Sequence, residues 1–528
     1  MNQNRGVDSP KKIELKERVL HTAVKSFCDC PFLWSQLEAA GMEQGLSGAE
    51  LAVSSVLLRR AGELIAYRLA DGRVEYRLTP AAIYRSYGSF WGAEKGSLET
   101  DRGETRKGGA LSMFRLLAYI ANEQIALTRA GEAPARLLVK LASLLGLSSS
   151  LAAFCLRAAI QLKLAEGKQE LVLNAAHLSC WLQLSPSWME AVLYKLWVDE
   201  SVPFEPKLRH FCYIGNRFNG TAIPAEDPYS ILKAYIDVTE AEQEDIRFKL
   251  LQPMCAFGWA SVEEAFSGHE FYRLLLPDPF LCSIEQPQTV ACQGEASPMK
   301  WYIQPDFEVW TVGETNYALL WELQLMCEER NIDHHDFYSL SPSSWQKALS
   351  SGRSTEDCLH FLDKHSMGGV PENVRIAVLN WGITREGDEE AAELMKNRRQ
   401  STFGYPRLND TPGHFNCRLT TRNDASVMER MPGPEDLFPG LNNAPLSWFR
   451  DCRAYHTTTS RDIAAQAIKW KTFLRVRTET MEQIIQPLHV RTEKNVLLLD
   501  AFHQGKAMQL TLNRTNRLQI LLPEMGGV

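Results

Sequence analysis

The residues best placed to do chemistry in this chain are arginines, and that chemistry is contact with phosphate. Arg59, Arg60, Arg68, Arg73 and Arg77 fall within nineteen positions. Arg59 and Arg60 end a predicted helix. Arg68, Arg73 and Arg77 lie on a predicted hairpin around Asp71-Gly72, where strand alternation puts Arg73 and Arg77 on one face. A basic helix end beside a basic hairpin can supply cations to a duplex backbone. The same residues serve equally as a solvated helix end and a charge-guarded edge strand. Further cations stand at Lys347, Arg353, Lys364 and Arg375. Arg398 and Arg399 belong to a stretch that also carries Lys396, Arg407, Arg418 and Arg422, with Asp410 as its acid.

Catalytic spacings are absent. A nucleotide motor needs a Gly-rich phosphate loop ending in Lys and Ser or Thr, because backbone amides and the ammonium cradle the phosphates. Gly92-Ala-Glu-Lys95-Gly-Ser97 puts its lysine between the glycines, and no Walker B segment follows anywhere. Gly-x-Ser-x-Gly is missing as well. His334 and His335 are adjacent before a predicted strand and point to opposite faces, while His360 and His365 stand five apart on a helix. The 12 cysteines contain no Cys-x-x-Cys pair, and Cys28-Asp29-Cys30 lacks a second pair of ligands. The sequence therefore points to a non-enzyme with no metal and no cofactor.

Composition frames that reading. The 528 residues are 45% apolar and 23% charged, an ordinary globular balance, and length alone predicts several domains. A net charge of -7 disfavours a uniformly basic surface, so a nucleic-acid partner requires a local basic patch. The polar N-terminus and the lack of an apolar run of about 18–20 residues predict a cytoplasmic protein with no membrane segment.

The elements that must position the arginines read as α+β and multidomain. Residues 11–92 give helical apolar spacing, a break at Pro31, a second helix, a Ser47/Glu50 capping box opening a third, then the hairpin. That is a winged-helix outline. Residues 93–109 are polar and read as a linker. Residues 111–199 repeat the outline, with helices over 133–145 and 151–164 and a strand at 170–174. Residues 200–297 carry no domain pattern, although helices are predicted over 228–235 and 242–251 and a strand over 271–276. Residues 298–385 read as strand 301–310, helix 316–329, strand 336–340 and helices at 343–350, 355–365 and 372–381, with Ser341 and Ser354 as N-caps. Residues 387–455, rich in Pro, Gly and Asn, read as an irregular basic connector. Residues 457–528 read as a helix capped within Thr457-Thr-Thr-Ser460, then five strands.

Three stretches carry a resemblance: Trp301-Tyr-Ile-Gln-Pro-Asp-Phe-Glu-Val-Trp310, Ser341-Pro-Ser-Ser-Trp345-Gln-Lys-Ala348 and Phe361-Leu-Asp-Lys-His365-Ser366 leading to Val370-Pro371 and Trp381. Together they resemble the helicase-associated domain found at the N-terminus of XPB-type DNA helicases and in stand-alone bacterial proteins. The resemblance spans about eighty residues and excludes the motor. It implies a DNA-binding or helicase-associated accessory role, with ATP hydrolysis supplied by a partner. The last segment resembles the small β domain of the WYL type, but the signature Trp-Tyr-Leu tripeptide is absent and no ligand site carries over. The competing expectation is a protein-interaction scaffold or ligand-sensing transcriptional regulator, which the acidic balance suits.

Overall fold

The computed structural model describes residues 10–90, 108–277, 299–382 and 425–525, apart from short gaps within them, together with residue 406. The fold is mixed α/β, with several small antiparallel sheets.

One sheet order occurs three times, and the first two units share the whole topology. The first unit runs helix Pro10–Phe27, strand Phe32–Leu33, helices Trp34–Glu43 and Gly48–Arg60, then strands Leu64–Leu69 and Val74–Leu78. Its sheet order is first–third–second, because Phe32 pairs with Tyr76 while Leu64 pairs with Leu78. The second unit repeats this with helix Gly109–Asn122, strand Ile125–Ala126, helices Ala135–Leu145 and Ser149–Gln161, and strands Ala165–Glu166 and Glu170–Leu173. Again the third strand lies between the other two. The third unit has helix Pro206–Ile214, strand Ala222–Pro224, a helix ending in Arg247–Leu251 and Gln252–Ala256, and strands Ala260–Glu264 and Glu270–Leu274, in the same order.

Local chemistry explains several boundaries. Ser47 accepts from the Glu50 amide while Glu50 Oε2 accepts from the Ser47 amide (2.8 Å), closing the capping box. Ser148 and Ser185 cap helices in the second unit and after it. Gly72 sits at φ +83° and closes the first hairpin, a conformation that a Cβ would strain.

Helix Pro206–Ile214 has no counterpart in the sequence reading. Residues 230–233 form a turn where a helix over 228–235 is predicted, and the rest of that stretch lies largely outside the described residues. The linker at 93–109 also falls almost entirely outside them.

Residues 299–382 form a four-stranded sheet and four helices, Tyr317–Met326, Pro342–Ser350, Thr355–His365 and Glu372–Gly382. Strands Lys300–Ile303, Glu308–Val312, His335–Leu340 and Cys327–Ile332 stand in that order. The helix expected to reach residue 329 stops at Met326, and Cys327–Ile332 pairs with His335–Leu340 along its whole length. Ladder hydrogen bonds there override the helix preference of Glu328 and Glu329. Ser341 and Ser354 are the N-caps, and Trp301, Trp321, Trp345, Leu362 and Val374 are buried.

The last unit is helix Thr457–Lys469 and strands Phe473–Arg477, Glu482–Glu493, Val496–His503, Lys506–Leu512 and Arg517–Leu521. A short strand, Arg453–Ala454, is added beside Arg517–Leu521. The helix is capped by His456 rather than by a residue within 457–460.

The apolar interior divides in two. One continuous core runs through the three repeated units and residues 299–382. The other belongs to the last unit, yet it includes Ala49, Val53 and Leu57 from helix Gly48–Arg60, packed with Phe438, Ile463, Ala464, Ala467 and Trp470. The stripe at 49, 53 and 57 is one helical face by its spacing of four. Of the connector expected over 387–455, residues 387–424 lie outside the described residues apart from residue 406, and residues 430–455 form a clasp of short elements. Strand Ala425–Val427 extends the first hairpin, and Phe438 is fully buried in the second core.

Candidate nucleic-acid interface

The five clustered arginines separate in space. Arg59 ends helix Gly48–Arg60 and donates from Nη2 to the carbonyls of Met428 (2.6 Å) and Arg430 (3.2 Å), so it holds the clasp. Arg60 and Arg68 are exposed, although Arg68 stands on the strand edge that Ser426 pairs with. Arg73 is exposed and binds Asp71 within the turn (2.6 Å). Arg77 turns inward to Asp29 and Asp199 (3.2 Å each). Arg73 and Arg77 are thus not brought together: one closes a turn, and the other is an internal cation.

The remaining candidates divide similarly. Arg353 is buried and holds Glu322 through Nη2 (2.8 Å) and Nε (3.3 Å), which fixes a helix junction. Lys347 is half-buried, and desolvation lowers its pKa against the opposing pull of Glu328. Arg398 and Arg399 lie outside the described residues.

Helix Gly48–Arg60 is covered on both of its long faces. One packs into the first core through Leu51 and Leu58. The other meets the last unit through Ala49, Val53 and Leu57. The Ala49 amide donates to the Lys471 carbonyl (3.1 Å), and Lys471 Nζ pairs with Glu38 (2.6 Å). A base edge has no access to this helix in the observed arrangement.

Sequence reasoning missed the most heavily charged interior site. Asp29 Oδ2 accepts from Arg77 (3.2 Å), from Arg209 Nη1 (3.2 Å) and from the Tyr213 hydroxyl (3.1 Å). Asp199 lies 3.2 Å from Arg77 and 3.8 Å from Arg209, and it also binds Lys195. Arg209 further donates to the Val202 carbonyl (2.8 Å) and stacks over Phe204 (4.4 Å). The members come from the first unit, from helix Pro186–Ser201 and from the third unit, so the cluster joins all three. Burial opposes ionisation of Asp199, but Lys195, Arg77 and Arg209 outweigh it and lower its pKa. Alongside, His210 accepts from the Tyr87 hydroxyl at Nδ1 and donates from Nε2 to the Lys25 carbonyl (3.1 Å). Burial brings its pKa down to about 4. The available signal was Arg209-His210 inside Leu208–Ile214, the wholly buried part of helix Pro206–Ile214.

This site orders structure and offers no reaction. Burial raises the thiols of Cys28 and Cys30, that of Cys30 to about 12, so neither is a ready nucleophile or thiolate ligand. Among the described residues no group of three His, Cys, Asp or Glu could hold a metal ion. Also among them, no single helix is long and apolar enough to cross a membrane. No family model matches the chain, and no curated protein matches it.

Proposed function

We propose that this protein is a non-catalytic accessory of DNA transactions that binds DNA or docks to a helicase, whose motor hydrolyses ATP in trans. The observation that carries the reading is the helix–strand–helix–helix–hairpin topology of the first two units, with the sheet order that the third unit shares, which we take as an array of winged helices. Winged helices present a helix to a groove and a hairpin to phosphates. The helicase-associated resemblance of residues 298–385 supports the same reading. The test is fluorescence anisotropy of a labelled duplex with the intact protein, beside an ATPase assay. The expected result is no ATP hydrolysis, and an affinity that falls at least about tenfold between about 50 and 200 mM salt. Turnover by the pure protein, or no DNA binding at the lower salt together with no helicase co-purifying, overturns it.

A second reading, a protein-interaction scaffold, is favoured by one observation: helix Gly48–Arg60 already grips a protein surface, that of the last unit. A nuclease-resistant complex with a partner protein, and no DNA affinity, would select it.

A further inference from the structure

The last sheet carries an arrangement that folding alone disfavours. Arg477 and Arg517 stand directly opposite each other on neighbouring strands. Like charges in that position repel and destabilise the pair. Arg475 lies two residues before Arg477, on the same face and about 7 Å along the strand. The alternate residues Leu474, Val476, Leu518 and Ile520 are buried, so the arginines occupy the sheet's other face.

Among the described residues, little neutralises them. Glu482 is shared between Arg475 (3.4 Å) and Arg477 (3.5 Å). Arg517 is exposed and has no carboxylate within ion-pair distance among the described residues. The Cys452 thiol reports the same crowding: burial and Glu482 raise its pKa, while Arg475, Arg477 and Arg517 all pull it down. Arg475 is held in place because its Nη1 donates to Gln519 Oε1 (2.8 Å), and Gln519 in turn donates to the Phe449 carbonyl (2.6 Å). Beside Arg475 across the strands stands Ile484, 45% exposed.

We infer that this face, centred on Arg477 and Arg517 with Arg475 and Ile484 at its side, is a binding site for the phosphate backbone of a nucleic acid. Guanidinium forks bind phosphate oxygens two at a time, and a phosphate between Arg477 and Arg517 converts their repulsion into a shared attraction. An exposed apolar side chain beside the cations suits a sugar or base face. In a chain of net charge -7 this is the local basic surface that a polyanion requires. The inference rests on the DNA-associated reading and moves the grip from the first hairpin to the last sheet.

The test is anisotropy of the full-length protein with labelled single-stranded and duplex oligonucleotides, comparing wild type with the pair Arg477→Gln/Arg517→Gln and with Arg60→Gln/Arg73→Gln. The sheet pair should weaken binding at least about tenfold and flatten the salt slope by about two, whereas the hairpin pair changes little. Its Tm should hold or rise, because a like-charge contact is removed, and Arg517→Lys should keep most of the affinity. If the sheet pair lowers Tm instead, Arg517→Gln alone carries the test, since it breaks no ion pair among the described residues. Wild-type affinity in the sheet variants overturns the site and leaves the DNA reading standing. No binding by the wild type overturns the site and the direct DNA contact, and the co-purification test then decides the helicase-docking form of the reading. Polyglutamate competing as well as DNA at equal charge overturns the nucleic-acid assignment in favour of an acidic protein.

Discussion

Helices Gly48–Arg60 and Ser149–Gln161 hold the same place in two copies of one topology, and both have 13 residues and a serine N-cap. They differ at matched positions. The second leaves Arg157 and Ile160 in solvent, at 56% and 38% exposure, where the first has buried Val56 and half-buried Arg59. The first buries Ala49, Val53 and Leu57 against another unit. A shared topology therefore does not determine which surface stays free. Close approach marks the first helix's contact: a Cβ at Gly48 would stand 2.7 Å from the Lys471 Cβ.

The comparison breaks most visibly under a charge. Val53→Asp buries an unpaired carboxylate and should cost about 4 kcal/mol or more, whereas Ile160→Asp should cost less than about 1 kcal/mol. Urea melts of the two variants check it, and equal costs would mean that the first helix is not enclosed. Next comes the junction that fixes the first unit to its neighbours. Arg209→Met removes the fully buried one of the two guanidiniums that face Asp29 and Asp199 and should cost about 3–5 kcal/mol, measured the same way.

The same junction gives a pH dependence. The His210 pKa is about 4 folded and about 6.5 unfolded, so the unfolded chain takes up the proton first. Its contribution is complete above pH 6.5 and is lost as pH falls through the folded value. The loss is about 3 kcal/mol by pH 4. His210→Gln, melted from pH 7 to pH 4, should flatten this slope, and an unchanged slope would place the titration elsewhere. The smallest effect lies in the caps. Ser47→Ala and Ser148→Ala should each lower stability by about 1 kcal/mol, because both serines accept an amide at the start of their helix. A Ser47→Ala loss well above that of Ser148→Ala would show that the cap also holds the clasp.

Local signals were legible in the sequence. The hairpin at Asp71-Gly72, the Ser47/Glu50 box and the serine caps of residues 342–365 rest on neighbours in the chain, and they appear as expected. The helix and five strands of the last unit also appear in the expected order. What escaped were contacts made across hundreds of positions. Arg77 looks like a surface cation until Asp29 and Asp199 are placed beside it. Leu208–Ile214 hides its helix because Arg209 and His210 interrupt the apolar stripe, although partners from other units bury both. Likewise, nothing near residue 53 announces that residues 438–470 will cover it. Cross-strand pairing also decided Arg477 and Arg517, forty positions apart and meaningless as a spacing until their strands align.

Amide hydrogen exchange along helix Gly48–Arg60 in the intact protein, with and without DNA, tests the enclosed helix most directly. We predict that its amides exchange only through global unfolding, more slowly than those of Ser149–Gln161, and that added DNA leaves them unchanged. Exchange by local opening at the rate of Ser149–Gln161, or new protection there when DNA is added, would contradict the account.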